Sequence, residues 1–253
     1  MSPTAIGVVV FTCTFGGALA GLALRLHLPD HHVSKESRDT VKAGIGLIAT
    51  MTALVLGIIT GSAKSSFDDV NAAIKRVSAD LIALDRTLVR YGPETAPLRE
   101  AIRNALVHRM EAVWPADGSD PVIVDPSNEN DGVEMVAARI QRLVPQTEEQ
   151  RSLQSRAVEL AESILQTRLL IFEDVRSGIP VPFLIILIFW LTVTFASFGV
   201  FAPRNATVII ALFLSALSVA AAVFLVLEMD GPFEGLIKVS SDPLTYALSH
   251  MSQ

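Results

Sequence analysis

Three histidines, His27, His31 and His32, and four aspartates, Asp117, Asp120, Asp125 and Asp131, are grouped closely enough in sequence to invite a metal ion. Imidazole suits zinc and carboxylate suits calcium, but each chemistry demands a spacing. The histidines lack helical i, i+4 spacing with supporting carboxylates, and Pro29 interrupts them, so they read as a solvated loop. The aspartates fall in Pro115 to Asp131, a stretch rich in Pro, Asp, Ser, Asn and Gly. It lacks the glycine-centred loop and closing glutamate of a calcium-binding hand, and it too reads as an exposed loop. No nucleophile elbow or phosphate loop appears, so no catalytic, cofactor-binding or metal-binding residues are expected and an enzyme is not the reading. The single cysteine, Cys13, lies in an apolar run and forms no intrachain disulfide.

What remains is physical chemistry inside a membrane. In the apolar run Ala43 to Ala63, the residues Gly46, Thr50, Ala53, Gly57 and Gly61 form one small-residue helix face. Such a face lets another helix approach closely. Leu47, Met51, Leu54 and Ile58 form an adjacent bulky stripe. In a lone bundle that stripe faces lipid; around the axis of an oligomer it lines a dry constriction that gates by excluding water. Lys64 marks the emergence from the apolar run, with Asp68 and Asp69 one turn beyond, and reads either as a charge at a pore mouth or as a snorkelling lysine.

These residues need membrane helices to position them. Met1 to Leu24, Ala43 to Ala63, Ser177 to Pro203 and Asn205 to Leu227 carry no charge. Each is close to the roughly 20 apolar residues that cross a ~30 Å hydrocarbon layer. The expected fold is therefore all-α: an integral membrane protein with transmembrane helices at about 4–24, 43–63, 180–202 and 205–228. The domains are 1–63, a soluble helical insert at 64–176, 177–228, and an interfacial tail at 229–253. The first segment, with no Lys or Arg before it and a long apolar run, reads as a retained helix rather than a secretory signal. Within it Gly17 and Gly21 make a small-xxx-small pair.

The insert holds nineteen of the 26 acidic and fourteen of the 20 basic residues, a balance without a Lys/Arg stripe, so nucleic acid is not an expected partner. Phe67, Val70, Ile74, Val77, Leu81, Leu84 and Leu88 follow 3-4-3-4 spacing. Nothing breaks the helix between them and the second membrane segment, so one helix is expected to leave the membrane and run to Tyr91-Gly92-Pro93. Leu98, Ile102, Leu106 and Met110 mark the next helix, Val133 to Leu143 a short one, and Thr147-Glu148-Glu149-Gln150 a capping box for a long one carrying Leu153, Leu160, Ile164 and Phe172. Ser34 is the expected cap of the second membrane helix, and Arg204 an anchor for the tight turn between the last two.

Lys64-Ser-Ser-Phe-Asp68, Leu84-Asp85-Arg86, Tyr91-Gly92-Pro93-Glu94, Phe195-Ala-Ser-Phe-Gly199, Phe201-Ala-Pro-Arg-Asn205 and Pro232-Phe233 with Gly235 together resemble the bestrophin-like domain family of bacterial membrane proteins, distantly similar to bestrophin ion channels. The resemblance implies a pentameric homo-oligomer in the bacterial inner membrane, conducting ions along a pore lined by the second membrane helix. On that helix the pore-lining set would be Met51, Leu54, Ile58 and Lys64, with monovalent ions of unassigned sign as partners beside the bilayer itself. The acidic run of the animal calcium clasp is absent, so calcium gating is not implied. Basic residues near the membrane ends number five on the loop side and six on the insert side, so charge does not orient the chain. The resemblance implies a cytosolic insert and termini. The rival reading is a non-conducting membrane interaction or signalling protein that uses the helical insert.

Overall fold

The computed structural model describes residues 2–27, 35–115, 119, 121–122, 132–176 and 178–251. It is 84% helix and, among the described residues, has no strand. Among the described residues eight α-helices follow one another: α1 (Pro3–Leu24), α2 (Lys35–Tyr91), α3 (Ala96–Val113), α4 (Gly132–Gln141), α5 (Glu148–Arg176), α6 (Val181–Phe201), α7 (Ala206–Asp230) and α8 (Asp242–His250). Four are long and apolar enough to cross a membrane, α1, α2, α6 and α7, as the charge-free stretches require. Their ends carry the expected signals. Ser2 accepts a bond from the Ala5 N–H at 3.3 Å to cap α1, Pro182 sits in the first turn of α6, and Asn205 Oδ1 accepts from the Val208 N–H at 2.8 Å to cap α7. The expected cap of α2, Ser34, lies outside the described residues.

The chain divides into two compact units, one of Met1–Ser65 with Ile179–Asp230 and one of Ser66–Gly178 with Gly231–Gln253. In the first, α1 packs on α6 and α7, burying Val10, Thr14 and Ala18 completely. The small-xxx-small pair of α1 meets α6. A Cβ at Gly21 would stand 2.0 Å from the Ala196 carbonyl oxygen, and one at Gly199 2.0 Å from that of Ala18. Gly17 faces Thr192 at 3.1 Å. Backbones this close leave no room for a side chain, and dispersion between them is what holds helices together where lipid removes the hydrophobic drive. Phe11, Phe15 and Phe213 pack edge to face at the α1–α7 contact.

Polar bonds fasten both ends of this three-helix frame. Arg25, just past α1, donates to the Ala202 carbonyl at the end of α6, while Arg204 donates to the Leu22 carbonyl in the last turn of α1. Each guanidinium thus satisfies a carbonyl near the negative end of a neighbouring helix. Arg204 therefore does more than anchor a turn at the headgroups. At the opposite end Asp230, the last residue of α7, accepts the Ile179 N–H through both carboxylate oxygens at 3.2 and 3.0 Å.

In the second unit the 3-4-3-4 seam is realised. α2 runs unbroken from Lys35 to Tyr91, and Val70, Ile74, Val77, Leu81, Leu84 and Leu88 are all buried, with Phe67 partly so. They share one core with Leu98, Ile102 and Leu106 of α3, Ile140 of α4, and Leu160, Ala161 and Ile164 of α5. Gly92, at φ +146°, takes a backbone conformation open to glycine and ends α2, while Thr95 folds back to donate to the Leu88 carbonyl at 2.6 Å. Thr147 caps α5 by accepting the Gln150 N–H at 3.1 Å. The return bond of the expected capping box shifts by one residue, Gln150 Oε1 taking the Gln146 N–H instead of that of Thr147.

The tail from Gly231 is integral to this second unit. Phe233, Val239, Leu244 and Met251 enter its core. Trp114 stacks edge-on with Phe233 and donates its indole N–H to the Val239 carbonyl at 2.8 Å, and Ser78 donates to the Pro243 carbonyl. Arg99 grips Asp85 with two bonds of 2.7 and 3.0 Å and reaches toward the Met251 carbonyl at 3.5 Å. The Asp85 carboxylate is buried, and its hydrogen bond pushes the Arg99 pKa above its ordinary value.

Candidate functional site: the membrane half of α2

The membrane half of α2 is fastened along one side. Ile45, Thr52, Ile59 and Ala63 are buried, with Val55 and Leu56 partly buried between them. Ile59 and Ala63 pack with Val226 of α7, and Leu56 packs against the α1–α6–α7 core. Thr52 satisfies its hydroxyl locally by donating to the Ile48 carbonyl at 2.8 Å.

The other side carries every residue singled out from the sequence. Gly46, Thr50, Ala53, Gly57 and Gly61 are exposed, and a Cβ built at Gly46, Gly57 or Gly61 would meet nothing within 4 Å. Leu47, Met51, Leu54 and Ile58 are exposed too, Leu54 by 58% and Ile58 by 62%. The small face and the bulky stripe thus lie side by side, and together they occupy the half of the helix that the described residues leave uncovered.

Lys64 is exposed at the end of this face. On an unbroken helix of 3.6 residues per turn it falls in line with Gly46 and Gly57, roughly a quarter to a third of a turn from the stripe of Leu54 and Ile58. Ser62 and Ser65 continue the bulky stripe instead. Spacing read one pair at a time missed this offset; it appears only when the register is carried from Gly46 across the whole helix.

The metal readings gain nothing from the structure. His27 is exposed with Nδ1 3.4 Å from the Ala23 carbonyl, while His31, His32, Asp117, Asp120, Asp125 and Asp131 lie outside the described residues. Among the described residues no group of His, Cys, Asp and Glu is placed to hold a metal.

A feature that the sequence did not announce lies at the start of α2. Lys42, Ile45, Gly46 and Ala49 stand apart from Ser197, Phe198 and Phe201 of α6 and Ala202 just beyond it, leaving an open groove of about 390 Å³. Its signal, a lysine one residue before an apolar helix opposite paired phenylalanines, is too common to be read as a groove.

No curated protein and no solved structure matches the chain. The model of the Bestrophin-like domain matches residues 12–244, from within α1 to the first turn of α8, and on that near-complete match the chain belongs to the Bestrophin-like domain family.

Proposed function

We propose that the chain assembles with copies of itself into a bestrophin-like ion channel of a bacterial inner membrane, with the membrane half of α2 lining the ion path. The observation that carries this reading is the outward half of α2, whose glycines Gly46, Gly57 and Gly61 meet none of the described residues. A glycine face in lipid gains by close contact with another helix, and a second copy supplies one. If small faces meet neighbours, the adjacent stripe turns toward the axis, where rings of Met51, Leu54 and Ile58 form a constriction that excludes water when narrow. Lys64, set off from that stripe, reaches the mouth by the length of its side chain and biases which ions enter without closing the path. The helical unit and both termini face the cytosol in this reading, and the ring has five members, as the resemblance to bestrophins implies.

Reconstitution in planar bilayers tests it. Wild-type protein gives ion currents, Leu54→Ala with Ile58→Ala raises unit conductance severalfold, and Lys64→Glu moves the reversal potential toward cations by a smaller effect. A correctly assembled ring that passes no current, or variants with unaltered currents, overturns the assignment. The rival reading, a non-conducting signalling protein, draws on the continuity of α2 from its apolar half into the packed seam at Val70 to Leu88. A monomeric or dimeric particle in mild detergent favours it.

A further inference from the structure

The groove between the start of α2 and the end of α6 has a composition that selects an occupant. Its walls are the apolar side chains and backbone of Ile45, Gly46, Ala49, Phe198 and Phe201, on helices that cross the membrane. In a bilayer the solvent of such a surface is acyl chain. At one end stands Lys42, exposed and next to the uncharged run Ala43 to Ala63. Arg25 reaches toward the same end, since it donates to the carbonyl of Ala202, a residue that lines the groove. That bond uses one of five guanidinium N–H donors. Asp39, exposed one turn before Lys42, is the acidic residue of this stretch of helix whose side chain is described.

From these observations we infer that the groove is a site for an anionic phospholipid, one acyl chain lying between α2 and α6 and the phosphate held by Lys42 and Arg25. An apolar slot with cations at one end matches the two halves of such a lipid, whereas a zwitterionic lipid brings its own cation to the same place. Basic pockets between membrane helices recognise anionic headgroups by this combination. Gly46 makes the slot: a Cβ there would meet nothing within 4 Å, so a larger residue fills the space without displacing a neighbour. The inference needs the membrane assignment but not ion conduction, and its readout is retained lipid rather than current.

The experiment uses the full chain purified in mild detergent and mixed with phosphatidylglycerol or phosphatidylcholine, with retained lipid counted by native mass spectrometry. Wild type retains phosphatidylglycerol over phosphatidylcholine, and Lys42→Ala lowers that preference on the order of fivefold, the effect of one cation at a headgroup. Gly46→Leu lowers retention of both lipids while helicity stays as in wild type. Equal retention of the two lipids by wild type, or a preference that survives Lys42→Ala, overturns the inference. So does a Gly46→Leu protein whose assembly loosens while lipid retention holds, because the groove would then receive a helix of another copy.

Discussion

Two glycine faces in this protein share one spacing and have opposite surroundings. On α1, Gly17 and Gly21 are pressed against α6, with Gly199 returning the contact, and at Gly21 and Gly199 so closely that no side chain fits. On α2, Gly46, Gly57 and Gly61 look into open space. The first face is satisfied by its own chain; the second is left for something outside it. A small-residue pattern therefore announces a close contact without saying whether the partner lies in the same molecule, and only the fold divides the two cases.

Substitution is the direct way to break this contrast. Gly21→Leu should have the largest effect, because its Cβ alone would sit 2.0 Å from a backbone oxygen that cannot rotate aside. The α1–α6 contact must then open, costing about 3 kcal/mol or more. Yield and the melting temperature in detergent should both fall sharply, and a variant as stable as wild type would mean that the helices stand further apart than described here.

Gly57→Leu should leave the isolated chain intact, since it has nothing to strike, yet disturb assembly. Circular dichroism should stay unchanged while the particle mass in mild detergent falls. Loss of helicity in this variant would show that the face has a partner within the chain and erase the contrast. An unaltered particle mass would leave the face turned toward lipid.

The smallest effect concerns a group that can wait for no partner. The Tyr91 hydroxyl is buried at the end of α2 and lacks a hydrogen bond among the described residues. Burial, and then the nearby Glu94 charge, raise its pKa above 10.0. A raised acid favours its neutral form in the folded state. This contribution is full below pH 10 and is lost as pH rises through the folded value. Tyr91→Phe should raise stability by about 1 kcal/mol, by removing an unpaired buried group, and should blunt the alkaline loss. Chemical denaturation at neutral pH and above pH 10 measures both, and a destabilised Tyr91→Phe would reveal a hydrogen bond to that hydroxyl.

Much of the fold was legible because charge and periodicity encode it directly. Four uncharged runs mark the spans, and the seam from Phe67 to Leu88 contrasts apolar with polar positions strongly enough to name the buried face. Within α2's membrane half that contrast vanishes. Ile45, Ile59 and Ala63 are as apolar as Leu47, Leu54 and Ile58, so hydrophobicity could not say which set packs inward. The tail was legible as an interfacial segment but not as core, because Trp114 and Val239 meet across 125 residues of sequence. The candidate site was legible as two adjacent faces. Its groove was not, because a gap is made by where two helices part, which no single segment encodes.

The bonds at the two ends of α1, α6 and α7 bear on how the molecule breathes. Arg25 on Ala202 and Arg204 on Leu22 close one end, Asp230 on Ile179 closes the other, and the glycine contact lies between. For α1 to pull away from α6, the bonds at their shared end and the intervening contact must fail together. Amide exchange in these two helices should therefore be slow and share a single opening free energy. The membrane half of α2, held along one edge, has a cheaper route to fluctuation: it can roll or tilt a few degrees while the frame stays shut. Mobility is thus distributed by helix within the bilayer, with the quiet part serving as the reference against which the restless one moves.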